Sequence, residues 1–325
     1  MRFVETWTPA SLLATRDLTP EIRELQLLPD TPLAPFLPGS HIDISVDIDG
    51  RPETRSYSLV GEADARGVRI AVRRAPDSRG GSRYMWQLVP GARLSMTQPS
   101  SQFQIDWERP RYCLIAGGIG ITPILGIARV LARHGRDLVL HYAVRSRRDA
   151  AYLEELRELL GDRLVLHAGD EGQRIDLQSM FMQQPHRALA IFCGPMRMLD
   201  AARRAWVDAG RALSDFAYET FGSSGLLPTE PFRVRLVDAG VEVVVPADRS
   251  MLDALNAAGH EVISDCRRGE CGVCAIDLVG IEGEVDHRDV FFSEHQKREN
   301  RKICPCVSRA RGVLSVDTLH RTQTA

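Results

Sequence analysis

The sequence predicts a multidomain chain: a small β-barrel, then a doubly wound α/β domain, then a smaller α+β domain. Three observations carry this. Apolar and polar residues alternate in short runs through the first third, as in Ile-Asp-Ile-Ser-Val-Asp-Ile at 42–48. From about residue 109 the pattern becomes strand, glycine-rich turn and helix, repeated. Of the 7 cysteines, Cys266, Cys271, Cys274, Cys304 and Cys306 all lie in the last part of the chain. A length of 325 residues has room for two or three domains at roughly 100–200 residues each.

The barrel is expected over 1–108. The run at 42–48 and the run Val-Arg-Ile-Ala-Val-Arg at 68–73 read as half-buried strands. Pro38-Gly39, Asp49-Gly50 and Pro90-Gly91 punctuate them, and short strands at this spacing suggest a barrel.

The α/β domain is expected over 109–225. Strands are read at 112–116, 138–144, 163–167 and 188–193, with helices at 123–134, 150–160 and 198–209. That alternation argues for a parallel sheet. Residues 222–231, rich in Gly, Ser and Pro, read as a flexible linker. The last domain, 226–325, opens with a hairpin turned by Asp238-Ala239-Gly240. A short helix capped by Ser250 follows.

Lys+Arg number 41 against 43 Asp+Glu, which gives no electrostatic case for nucleic-acid binding. No apolar run approaches the ~20 residues of a membrane span. Met1-Arg2-Phe3-Val4 is not followed by a signal-peptide core. A cytoplasmic monomer, off the membrane, is the expectation.

Cys266, Cys271 and Cys274 are spaced C-x4-C-x2-C with a distant cysteine after them, the plant-type 2Fe–2S spacing. Four soft thiolates suit iron–sulfur chemistry, and Gly269 and Gly272 let the backbone wrap closely. A structural zinc site is the alternative, although zinc sites usually pair short spacings. Spacing leaves the fourth ligand open between Cys304 and Cys306.

Three further motifs carry chemistry. Arg55-Ser56-Tyr57-Ser58 reads R-x-Y-S, with Arg55 and Tyr57 on one face of a strand. An arginine fork suits a phosphate and a tyrosine suits a flat ring. An ordinary strand is the alternative. Arg79-Gly80-Gly81-Ser82 opens a short helix and offers backbone N–H groups to an anion, or is simply a capped turn. Gly117-Gly118-Ile119-Gly120-Ile121-Thr122-Pro123 joins a buried strand to a helix, the geometry that receives a pyrophosphate, without being the strict G-x-G-x-x-G fingerprint.

With Gly283-Glu284-Val285-Asp286-His287-Arg288-Asp289 and Cys306-Val307-Ser308-Arg309-Ala310, these motifs resemble the phthalate dioxygenase reductase family along essentially the whole chain. The resemblance implies a β-grasp plant-type ferredoxin domain at the C-terminus, with Cys306 as fourth iron ligand and Cys304 a bystander. It implies FMN, held by Arg55, Tyr57, Ser58, Gly81 and Ser82. It implies that NAD(P)H meets Gly117, Gly118, Gly120 and Thr122, and Cys193-Gly194-Pro195. Thr122, Cys193 and Phe221 would then lie at the reacting rings. Arg145, with Arg147, stands where a ribose phosphate would be read and raises NADPH, yet the resembled family favours NADH. The implied activity is a hydride taken from NADH and passed as single electrons to an oxygenase component, a Rieske non-haem iron protein. A haem monooxygenase or other metalloprotein partner and a redox-sensing flavin/iron–sulfur protein are the rivals.

Overall fold

The computed structural model describes residues 6–62, 67–75, 80–101, 103, 105–221, 229–247 and 249–318. It divides into two compact units, Met1–Thr220 and Phe221–Ala325.

The first unit begins with strands β1 (Trp7–Thr19), β2 (Ile22–Pro29), β3 (His41–Ile48), β4 (Arg51–Ser58) and β5 (Val68–Arg73), then helix α1 (Gly81–Gln87) and β6 (Arg93–Thr97). They form one antiparallel sheet in the order β4-β3-β6-β1-β2-β5. Its two edges meet: Leu59 bridges Ile70, and the Val60 N–H donates to the Arg69 carbonyl at 2.8 Å. The sheet thus closes into the expected barrel, which leaves little unpaired edge. Alternation on β3 puts Ile42, Ile44 and Val46 inside.

The same unit continues with β7 (Tyr112–Gly117), α2 (Ile121–Arg133), β8 (Leu138–Val144), α3 (Leu153–Leu160), β9 (Leu164–Ala168), α4 (Leu177–Met182), β10 (Leu189–Cys193), α5 (Met196–Asp208) and β11 (Phe216–Glu219). The five strands are parallel in the order β11-β10-β7-β8-β9. Tyr112, Cys113, Leu114, Ile115 and Ala116 on β7 are all fully buried, as a central strand covered on both faces requires. The barrel shares this core through Ile22, Val60, Ala71 and Phe103, so the two sheets form one unit rather than two.

Helix α3 is shorter than the apolar spacing predicts. It starts at Leu153 rather than 150, because Tyr152 stands in the left-handed region at φ 60 and breaks the run. That turn lets the Tyr152 hydroxyl donate to Glu24 Oε2 on β2 at 2.9 Å. Helix α2 starts earlier than expected, at Ile121, so Pro123 is its third residue. The first turn tolerates proline there because its N–H groups have no helical partner.

The second unit holds β12 (Phe232–Leu236), β13 (Val241–Val245), α6 (Met251–Ala257), β14 (Ile276–Asp286), α7 (Glu294–Glu299), β15 (Lys302–Ile303) and β16 (Arg309–Asp317). The sheet order is β13-β12-β16-β14-β15, with β12 and β16 parallel and its other pairs antiparallel. This is the mixed sheet with a crossing helix expected of a β-grasp. Ser250 caps α6 by accepting from the Asp253 N–H at 3.1 Å, as its sequence position suggests. Most of the expected linker, 222–228, lies outside the described residues. Among the described residues no helix is long and apolar enough to cross a membrane.

Candidate functional site

The barrel motif is assembled by strand alternation. Arg55 and Tyr57 are half-buried on one face of β4, while Ser56 between them is exposed. Arg55 donates to Glu53 Oε2 at 2.6 Å and to the Thr54 carbonyl at 2.9 Å. The glycine motif comes to the same place: a Cβ on Gly81 would lie 2.6 Å from Arg55 Nε. A larger residue there would displace the Arg55 side chain, and Gly80 at φ 97 turns the chain into this approach. Ser82 Oγ accepts from the Ala75 N–H at 3.3 Å. Ser58 closes the strand, and its buried hydroxyl has no hydrogen-bond partner among the described residues. Burial pushes the Tyr57 hydroxyl well above its ordinary pKa. Arg79 lies outside the described residues. An arginine fork, a bare glycine and an unanswered hydroxyl together suit a phosphate-bearing aromatic cofactor.

The nucleotide motifs meet at the switch point of the parallel sheet. β7 continues to β8 on one side and β10 on the other, so strand order reverses there and opens a crevice at the carboxyl ends. The turn after β7 and the turn after β10 touch backbone to backbone. A Cβ on Gly120 would sit 2.1 Å from the Cys193 carbonyl oxygen. A Cβ on Gly117 would sit 2.6 Å from Pro195 Cδ, and one on Gly194 3.1 Å from Gly117 Cα. Gly118 has φ 55 and opens a 3₁₀ turn into α2. Thr122, buried, donates its hydroxyl to the Ile119 carbonyl at 3.0 Å. Cys193 is fully buried. Arg145 is exposed directly after β8. Phe221 is 38% exposed.

Sequence reasoning missed one pair. His41 at the start of β3 and Glu219 at the end of β11 are both buried, with His41 Nδ1 3.9 Å from Glu219 Oε1. His41 Nε2 lies 3.1 Å from Ser100 Oγ. This joins the barrel to the parallel sheet beside the crevice strands. A carboxylate closing an otherwise apolar strand was the available signal, since buried charge is retained only with a partner.

In the second unit Cys266 and Cys271 form one thiol pair, and Cys274 is approached by both Cys304 and Cys306. Among the described residues no three candidate side chains converge on a single-ion site. Cys274 Sγ and Cys306 Sγ lie 3.2 Å apart, and Cys266 and Cys271 interact directly. The N–H groups of Arg268 and Cys271 both donate to Cys266 Sγ at 3.4 Å. The Val273 N–H reaches the Cys271 sulfur and the Gly269 N–H the Cys306 sulfur. Backbone donors aimed at sulfur are what an iron–sulfur cluster uses. Cys304 and Cys306 both hydrogen-bond to Cys274 and hold it toward its thiolate. Cys306 also feels the charge of Cys266, and Cys304 that of the buried Asp289.

Two glycines shape this loop. A Cβ on Gly269, φ 76, would lie 2.6 Å from Val307 Cγ2, and one on Gly272, φ 71, 2.3 Å from the Phe291 ring. The loop is tied to the Cys306 segment through Asp289. That carboxylate accepts from the Phe292 N–H at 2.9 Å and from Ser308 Oγ at 3.2 Å.

Comparison with known proteins agrees with this arrangement. The oxidoreductase NAD-binding domain family matches residues 114–204, and the 2Fe-2S iron-sulfur cluster binding domain family matches 234–311. The chain is 39% identical over 314 residues to the heme-dependent oxidative N-demethylase beta subunit of Ectopseudomonas mendocina, covering 95% of this chain and 98% of that one. It is 33% identical over 288 residues to the phthalate dioxygenase reductase of Burkholderia cepacia, covering 86% and 87%. A solved phthalate dioxygenase reductase, described as a modular structure for electron transfer from pyridine nucleotides to [2Fe-2S], superposes with TM-score 0.78 at 30% identity, covering 96% of this chain and 98% of that one. The two family matches fall on the parallel sheet and on the thiol-bearing sheet described above, and the full-length likeness spans all three sheets. The chain therefore belongs to the phthalate dioxygenase reductase family of electron-transfer oxidoreductases.

Proposed function

We propose that the chain is the reductase component of a Rieske-type oxygenase system, taking electrons from NADH through FMN to a 2Fe–2S cluster. The observation that carries this is the meeting of the Gly117–Gly120 and Cys193–Pro195 turns at the switch point, in the same compact unit as the Arg55–Gly81 contact. A hydride donor and a flavin need adjoining sites, and a shared core brings their sheets together. The flavin supplies the exchange between a two-electron donor and a one-electron acceptor. We divide the chain into 1–108, 109–225 and 226–325 on this reading.

Each residue then has a task. Arg55 and Gly81 hold the flavin phosphate, assisted by Ser82, and Tyr57 and Ser58 line the ring. Gly117, Gly118 and Gly120 admit the pyrophosphate against bare backbone. Thr122, Cys193, Gly194 and Pro195 shape the nicotinamide end, and Phe221 shields a ring. Arg145 faces the ribose. Cys266, Cys271, Cys274 and Cys306 would hold the cluster, which would take up one electron at a time. Thiols that must stay reduced for loading suit the cytoplasm.

A haem protein is the second reading of the partner, favoured by the 39% identical subunit of a haem-dependent demethylase. Reconstitution decides between them. The chain and NADH are mixed with a purified Rieske oxygenase or with a haem demethylase, and product is followed. Turnover with the haem protein alone would reverse the partner assignment. A redox sensor would turn over NADH neither with either partner nor with an added one-electron dye.

A further inference from the structure

The geometry points to Glu171 as the residue that sets nucleotide choice, by occupying the arginine that would otherwise bind a 2′-phosphate. This rests on the NADH reading above and deepens it.

In a doubly wound sheet the adenosine ribose lies beyond the end of the strand next to the phosphate-binding turn. Here that strand is β8, beside β7. Three arginines follow it, Arg145, Arg147 and Arg148. Taken alone they look like a phosphate site, because an arginine fork matches a phosphate in two-point contact. The structure shows that Arg147 is engaged in such a contact already. Its Nε donates to Glu171 Oε1 at 3.0 Å and its Nη2 to Glu171 Oε2 at 2.8 Å.

Glu171 is placed there by its backbone. It ends a 3₁₀ turn, Gly169–Glu171, that follows β9 and packs on the end of β8. The Asp170 N–H donates to the Arg145 carbonyl at 2.9 Å, and a Cβ on Gly169 would lie 3.4 Å from the same oxygen. Gly172, at φ 74, turns the chain away immediately afterwards. The pair is partly open to solvent, with side-chain exposures of 45% and 38%, so a nucleotide can reach it. The contact with Arg147 holds the Glu171 carboxyl below its ordinary pKa, so it is ionised at neutral pH.

Two consequences follow. The Arg147 fork is filled, so a 2′-phosphate gains no two-point contact from that residue. The carboxylate then opposes the incoming phosphate by charge, which is discrimination against the wrong ligand rather than attraction of the right one. A ribose hydroxyl meets no such opposition.

Glu171→Ala in the full-length holoprotein tests this. We expect kcat/KM for NADPH to rise about tenfold with an artificial electron acceptor, the size of one charge-assisted contact. NADH should stay within about twofold. Adenosine 2′,5′-bisphosphate should gain affinity by a similar factor while 5′-AMP does not, a readout independent of turnover. In the double variant Glu171→Ala with Arg147→Ala the gain should vanish. Wild type preferring NADH, with no gain for NADPH or the bisphosphate in Glu171→Ala, overturns this inference and leaves the NADH reading standing. An equal fall for both nucleotides means a merely structural role and also overturns it. Wild type preferring NADPH overturns the NADH reading itself, and this inference with it.

Discussion

The sulfur atoms of Cys274 and Cys306 lie 3.2 Å apart although 32 residues separate them in the chain. The distant cysteine is thereby delivered to the C-x4-C-x2-C loop. Cys304, fully buried, also hydrogen-bonds to Cys274, so the choice of Cys306 as ligand rests on the family resemblance and on its 3.2 Å approach.

Cys306→Ser should therefore remove the cluster, since a hard hydroxyl is a poor substitute for a soft thiolate. Cys304→Ser should retain iron and the reduced 2Fe–2S electron paramagnetic resonance signal. Iron per chain and that signal are the measurements. Iron kept in the first variant and lost in the second would reverse the ligand assignment.

Arg55→Ala should weaken flavin binding by about tenfold or more, the usual size of a lost charge-assisted contact. Flavin content after dialysis measures it. The released cofactor should be FMN, and recovery of FAD would correct the cofactor.

Gly120→Ala should abolish NADH oxidation while leaving the flavin bound. The added methyl would need to occupy space 2.1 Å from the Cys193 carbonyl, and backbone on both sides cannot yield. Flavin retention with loss of nucleotide-dependent bleaching is the expected result. Normal bleaching would show that the two turns do not have to meet.

Asp289→Ala should destabilise the cluster-bearing unit by about 1–3 kcal/mol, because the Phe292 N–H and Ser308 hydroxyl lose their buried acceptor. Asp289→Asn keeps an oxygen in place and should lose much less. The rate of iron release to a chelator compares the two, and equal rates would remove Asp289 from its positioning role.

Most of the fold was legible because its signals are local. The alternation at 42–48, the glycine turn at 117–120 and the hairpin at 238–240 each report on neighbours in sequence, and the structure has β3, the β7–α2 turn and the β12–β13 turn there. Strands β1 and β2 were not legible: charged Arg16, Asp17, Arg23 and Glu24 interrupt them, and their pairing across the barrel supplies what the pattern lacks. The start of α3 failed for a long-range reason, since Tyr152 leaves the helix to reach Glu24, 128 residues away. The cluster loop was legible from spacing alone. Spacing left the fourth ligand open and the family resemblance pointed to Cys306; the His41–Glu219 contact and the Arg147–Glu171 fork were not legible, because each depends on which segments the fold brings together.

Anaerobic mixing with NADH in a stopped-flow spectrometer tests the central claim most directly. The account predicts bleaching of the flavin absorbance first, followed by reduction of the cluster, with the 2Fe–2S paramagnetic signal appearing in samples frozen at the second step. Flavin bleaching with the cluster left oxidised at all times, or cluster reduction in protein stripped of flavin, would contradict it.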